Sequence, residues 1–126
     1  MEVSRWHALR ILDWCITSYG ASKYNGSYPH IEFRKEDVTT EKLAGYYCDI
    51  ENVIFLNKDF HLNIKELAKT IIHEYTHYRQ NMKHYHVLSE YLSYNNNPLE
   101  KQATKNSTRD YKKCLSELKN IYPDKF

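Results

Sequence analysis

The sequence predicts an α+β fold, and three observations predict it. Residues 4–19, 64–82 and 98–121 carry apolar side chains at helical spacing. Three short stretches between the first two read as strands, rich in aromatic and branched residues. The order is thus one helix, three strands and two or more helices, without repeats, a low-complexity tract or a linker. Residues 1–126 read as a single domain. The expected sheet is three-stranded and mainly antiparallel, with an N-terminal helix, a central helix and a C-terminal helix packed on it.

In the first helix, Ala8, Ile11, Leu12, Cys15, Ile16 and Tyr19 recur at i, i+3, i+4, i+7, i+8 and i+11. Ser4 starts it and Gly20 stops it. Residues 21–29 form a loop with Asn25-Gly26 as turn chemistry. HIEFRK (30–35) alternates Ile31 and Phe33 against His30, Glu32 and Arg34, which predicts a half-buried strand. GYYCDI (45–50) and NVIFLN (52–57) follow with a tight turn between them. Val53 to Leu56 are apolar on both faces, which suits a strand covered on both sides or an edge strand with one face on a cleft.

Asn63 and Glu66 have capping-box spacing ahead of Leu67, Ala68, Ile71 and Ile72, which starts a helix over 64 to about 82. Residues 83–96 read as a short helix or an ordered loop. Asn97 then caps, and Pro98 opens, a last helix reaching about residue 121.

Composition narrows the class. The net charge is only +2, too small to argue for nucleic acid by itself. The 3 cysteines are an odd number without C-x-x-C spacing, so no disulfide framework is expected and a reducing compartment is the default. Asp13 interrupts the N-terminal apolar run, which therefore predicts neither signal peptide nor membrane span. A cytoplasmic protein without a membrane partner is the expectation.

The chemistry lies in TIIHEYTHYRQ (70–80), which sets His73, Glu74 and His77 within one apolar helix. Residues i and i+4 share a helix face, so both imidazoles can aim at one point. Zinc accepts such nitrogens at about 2.0–2.1 Å, and a catalytic zinc keeps one position open. Glu74 stands beside that point as a carboxylate able to accept a proton from water, the H-E-x-x-H arrangement. With 7 histidines in the chain, a chance match has a probability of about 0.03. The bland alternative is a surface histidine pair with a solvated glutamate.

Three protein ligands are the rule at a catalytic zinc. His84 and His86 are nearest, but the long H-E-x-x-H-x-x-G-x-x-H pattern is excluded, because Gln80 and Lys83 occupy its glycine and histidine positions. Glu90 is a candidate in the ambiguous segment. Glu100 is the better one: it lies in the first turn of the last helix, from which a carboxylate can face back to the motif. Its bland reading is a capping-box partner of Asn97, favoured there by the helix dipole.

HEYTH followed 23 residues later by Glu100, in NPLEKQA, resembles the small gluzincin peptidases, including minimal single-domain zincins of phages and prokaryotes. It is also similar to the zincin core of SprT-like and ImmA/IrrE-like proteins. The resemblance covers roughly residues 45–110 and is specific only at His73, Glu74, His77 and Glu100. It implies a zincin-like fold with 64–82 as the active-site helix, and it implies that NVIFLN is an edge strand beside that helix. Thr104 departs from the thermolysin-type pattern, which has an Asp there, so the partner orienting a histidine is open among Asp49, Asp59 and Asp110.

The implied activity is that of a zinc metallopeptidase acting on a protein or peptide, with one Zn2+ per chain held by His73, His77 and Glu100. Zinc lowers the pKa of its water toward about 7 and polarises the carbonyl. Glu74 takes the water proton and passes it to the leaving amine. The resemblance also implies a Tyr or His donor for the oxyanion; Tyr91, Tyr94, His84 and His86 are available, and Tyr94 is the choice. Substrate would add as a strand to the 52–57 edge, unless that strand is simply core.

Lys101, Lys105, Arg109, Lys112 and Lys113 form a basic stripe on the last helix. It can track a phosphate backbone, though such stripes are commonly solvated faces. The alternative function is a non-catalytic, zinc-stabilised module that binds protein or nucleic acid. Glu74 discriminates, since a purely structural site needs no base beside an open position.

Overall fold

The computed structural model describes residues 3–35, 44–57 and 63–126. Among these, the order is α1 (Arg5–Tyr19), β1 (His30–Arg34), β2 (Gly45–Cys48), β3 (Val53–Asn57), α2 (Ile64–Arg79), α3 (Met82–Tyr91), a 3-10 turn (Tyr94–Asn96) and α4 (Pro98–Ile121). This is the α+β architecture expected, and residues 83–96 resolve into a short helix followed by the turn.

The sheet corrects one expectation. Its order is β1-β3-β2, with β3 parallel to β1 (His30 opposite Val53) and antiparallel to β2 (Cys48 opposite Val53). It is therefore mixed rather than mainly antiparallel, and NVIFLN is the central strand rather than an edge. Burial explains the order. Val53, Ile54, Phe55 and Leu56 are all buried, whereas β1 and β2 alternate with exposed positions. A strand apolar on both faces gains most at the centre, and half-polar strands tolerate the edges.

The β2–β3 turn is tight because Asn52 adopts φ 56°, a left-handed conformation that Asn tolerates. Its side chain is also anchored, donating to the Ser27 and Tyr28 carbonyls at 3.1 and 3.2 Å and accepting from the Tyr47 hydroxyl at 2.8 Å. Gly45 lets β2 press inward: a Cβ there would stand 2.6 Å from the Phe55 carbonyl oxygen and 3.1 Å from Thr70 of α2.

α2 is the hub. Asn63 caps it, accepting the Glu66 N–H at 2.8 Å. The sheet covers one side and α1 and α4 cover others, so its last two turns are buried nearly all round, from Glu74 to Tyr78. Ile71, Ile72, Tyr75 and Tyr78 of α2 meet Ile11 and Cys15 of α1, Ile54 and Leu56 of β3, and Cys114 and Leu118 of α4. Truncating one such aliphatic side chain to Ala costs about 2–5 kcal/mol. The buried phenols have partners: Tyr75 donates to the Gly20 carbonyl at 2.5 Å, and the Ser22 N–H donates to the Tyr78 oxygen at 3.1 Å. No helix among the described residues is long and apolar enough to cross a membrane.

Candidate metal centre

His73 and His77 lie one turn apart on α2, their ring centroids 5.0 Å apart and their planes 74° to each other. Ligand atoms of His73, Glu74 and His77 all fall within 4.8 Å of one another. Glu100, in the first turn of α4, reaches the same point: its Oε1 touches Nε2 of His73 at 3.2 Å and Nε2 of His77 more closely still. α4 starts where it does because Pro98 sits in its first turn and Asn97 accepts the Leu99 N–H at 3.0 Å.

The capping-box role does not describe Glu100. The Asn97 N–H donates to the Ser93 carbonyl at 3.0 Å, and the Glu100 side chain turns to the imidazoles instead. Glu100 is only 3% exposed. Its other oxygen, Oε2, is buried with no hydrogen-bond partner.

The charges follow from burial and proximity. Burial opposes ionisation of Glu100, but the two imidazoles outweigh it and hold its pKa at about 2. Burial likewise opposes a charged His77, yet the Glu100 and Glu74 carboxylates and Gln80 raise its pKa. Glu74 shows the opposite balance. It is 8% exposed, and burial lifts its pKa to about 7 against the pull of His73, His77 and a hydrogen bond from the Tyr47 main chain of β2.

These residues suit a zinc ion. Tetrahedral ligands at about 2.0–2.2 Å from zinc stand about 3.3 Å from one another; His73 Nε2 and Glu100 Oε1 are 3.2 Å apart, whereas His77 Nε2 lies closer to that oxygen and would have to move outward to share an ion with it. The Glu100 carboxylate meets His73, His77 and Tyr94, and its Oε2 atom is left without a hydrogen bond, a position that a divalent cation could take. Two nitrogens and one carboxylate oxygen form a donor set common at catalytic zinc sites.

The histidine-orienting partner is Gln80, at the C-terminal end of α2. Its Oε1 accepts from Nδ1 of His77 at 2.7 Å. Of the aspartates expected there, neither Asp49 nor Asp110 does so. Asp49 pairs with His86 at 3.1 Å, Asp110 bonds Tyr19 and Arg109, and Asp59 lies outside the described residues. The signal for Gln80 was its position three residues after His77, on the same helix face.

Among the proposed oxyanion donors, Tyr94 is 62% exposed, yet its hydroxyl meets the Glu100 carboxylate; partial desolvation first and that hydrogen bond second raise its pKa. Tyr91, His84 and Glu90 are exposed outside the cluster, and His86 is engaged with Asp49. Tyr85 of α3, which no motif marks in the sequence, also belongs to the site. Its ring meets His77 edge-on with centroids 5.2 Å apart, and burial, with the Glu100 and Glu74 charges, raises its pKa to about 12. One residue of α3 thus covers the site from above, although no α3 residue is fully buried.

On the basic stripe, Arg109 bonds Asp110 at 2.8 Å and Lys113 stands 4.0 Å from Glu117, while Lys101, Lys105 and Lys112 are exposed. No protein-family model matches the chain, and comparison with curated proteins and with solved structures gives no match.

Proposed function

We propose that the protein is a zinc-dependent metallopeptidase that resembles the gluzincins in its donor set, with one Zn2+ per chain on His73, His77 and Glu100 and a protein or peptide as substrate. One observation carries this reading. Two imidazole nitrogens and the Glu100 oxygen converge on one point, and the buried Glu74 carboxylate stands beside it. Zinc would supply a Lewis acid that polarises the scissile carbonyl and makes water a stronger acid.

The chain's own residues do the rest. Glu74 accepts the proton of the attacking water and returns it to the amine that leaves. Gln80 keeps the His77 Nδ1 protonated and leaves Nε2 free to bind. Tyr94, beside Glu100, donates to the developing oxyanion, and Tyr85 screens the site from water. Because β3 is central, an extended substrate pairs with the outer edge of β2, where the Tyr47 main chain already meets Glu74. A reducing cytoplasm is the compartment this reading assumes.

A non-catalytic zinc module has no use for a buried base beside its metal, which is why the hydrolytic reading is preferred. Metal analysis of the purified protein should find one zinc per chain, and a peptide library should be cleaved. Glu74→Gln should keep that zinc and lower kcat by about 100-fold or more. A variant that cleaves as fast as the parent, or a parent without zinc or cleavage, overturns the proposal.

A further inference from the structure

A groove of about 340 Å³ lies along α4 on the flank of Glu100. Tyr94 and Asn95 form one wall; Glu100, Lys101, Thr104, Lys105 and Thr108 form the other. The groove therefore starts at two groups already assigned to the metal centre and leads away from them. It is wide enough for one amino-acid side chain and open to solvent along its length.

Its lining is one-sided chemically. Lys101 and Lys105 stand one helical turn apart on the same face, where both ammonium groups can reach a single anion. Neither has an acidic partner among the described residues, whereas Arg109 and Lys113 further along the helix do. Thr104 and Thr108 add hydroxyls and Asn95 adds an amide, all able to donate hydrogen bonds. The only carboxylate in the lining is Glu100, which is turned to the imidazoles.

We propose that this groove is a substrate subsite for a peptide carboxylate, held by Lys101 and Lys105 beside the scissile bond. The inference rests on the metallopeptidase reading and narrows its substrate class to acidic peptides. A carboxylate side chain of Asp or Glu and a free C-terminal carboxylate share this chemistry. Two exposed lysines act as point charges that steer and select a rim-bound anion rather than bury it.

The test uses the 126-residue chain as Glu74→Gln, so that binding is read without turnover. Fluorescence anisotropy would follow a labelled peptide with Asp and Glu near its centre, the same peptide with Asn and Gln, a neutral peptide ending in a free carboxylate or in an amide, and a single-stranded oligonucleotide. The proposal expects the acidic or the free-carboxylate peptide to bind about tenfold tighter than its amide counterpart. Which of the two does so identifies the source. The preference should vanish in K101E/K105E, whose melting temperature confirms folding, and should remain in K112E.

Equal or undetectable binding of acidic and amide peptides overturns the proposal. So does tight oligonucleotide binding that falls steeply with salt and disappears in K101E/K105E, which would make these lysines phosphate contacts. Failure of the parent to cleave a peptide it binds with the expected preference would sink the peptidase reading and leave the carboxylate subsite standing.

Discussion

Gln80 Oε1 accepts the Nδ1 proton of His77 at 2.7 Å, and the rest of the amide is tied to α4. Its Nε2 donates to the Leu99 carbonyl at 2.9 Å and to Gln102 Oε1 at 2.8 Å. A main-chain carbonyl can only accept, so the amide has one orientation and Oε1 must face the imidazole. One side chain thereby sets the His77 tautomer and links the helix that carries two of the proposed ligands to the helix that carries the third.

Replacing Gln80 with Leu should therefore weaken zinc binding by about 10- to 100-fold, the usual penalty for removing a partner that orients a ligating histidine. The Leu99 carbonyl would also lose a donor. Competition with a chromophoric chelator measures the affinity directly. An affinity unchanged within about twofold would show that His77 needs no help to present Nε2, and the role given to Gln80 would be wrong.

Much of this site is written in local spacing. His73, Glu74 and His77 are fixed by one helix, and Glu100 by the cap and proline that start α4, so their meeting needs only that α2 and α4 pack together. The role of Gln80 is only half local: its spacing from His77 is in the sequence, but its orientation depends on the Leu99 carbonyl across an interhelical contact. Tyr85 depends likewise on how α3 folds over α2, and α3 buries none of its residues fully to announce a direction. Strand positions were legible for a similar reason: alternation and turn residues are local. The parallel pairing of β1 with β3 was not, since partner and direction are settled by which strand is apolar on both faces once the helices cover them.

A second prediction concerns pH and a contact remote from the metal. Asp110 of α4 accepts from Arg109 at 2.8 Å and from the Tyr19 hydroxyl of α1 at 2.5 Å. Its pKa is lowered, by the Arg109 hydrogen bond first and with the Tyr19 bond adding to it. A carboxyl held below its unfolded pKa stabilises the fold above that value, and the stabilisation is lost as pH falls through the folded one. Asp110→Asn should accordingly lower the melting temperature at pH 6 to 7. The gap between variant and parent should close as pH falls below about 4, the ordinary range of an aspartate. A gap independent of pH would mean that the variant acts through packing of Tyr19 and not through the charge.

The third prediction tests Glu100 by stability rather than by turnover. A ligand that binds only the folded chain stabilises it by about 2.7 kcal/mol at a hundred times its dissociation constant. For a domain of this size that raises the melting temperature by about 10 °C. The metal-free parent should show that rise when zinc is added. Glu100→Gln retains the volume and removes the anionic donor, so at the same zinc concentration its rise should shrink to about 2 °C or less. Glu90 lies exposed on α3, outside the cluster, and Glu90→Gln should keep the full rise. If the two variants behave the other way round, the third ligand comes from α3, and the convergence of Glu100 on the imidazoles is an ion pair with no metal to hold.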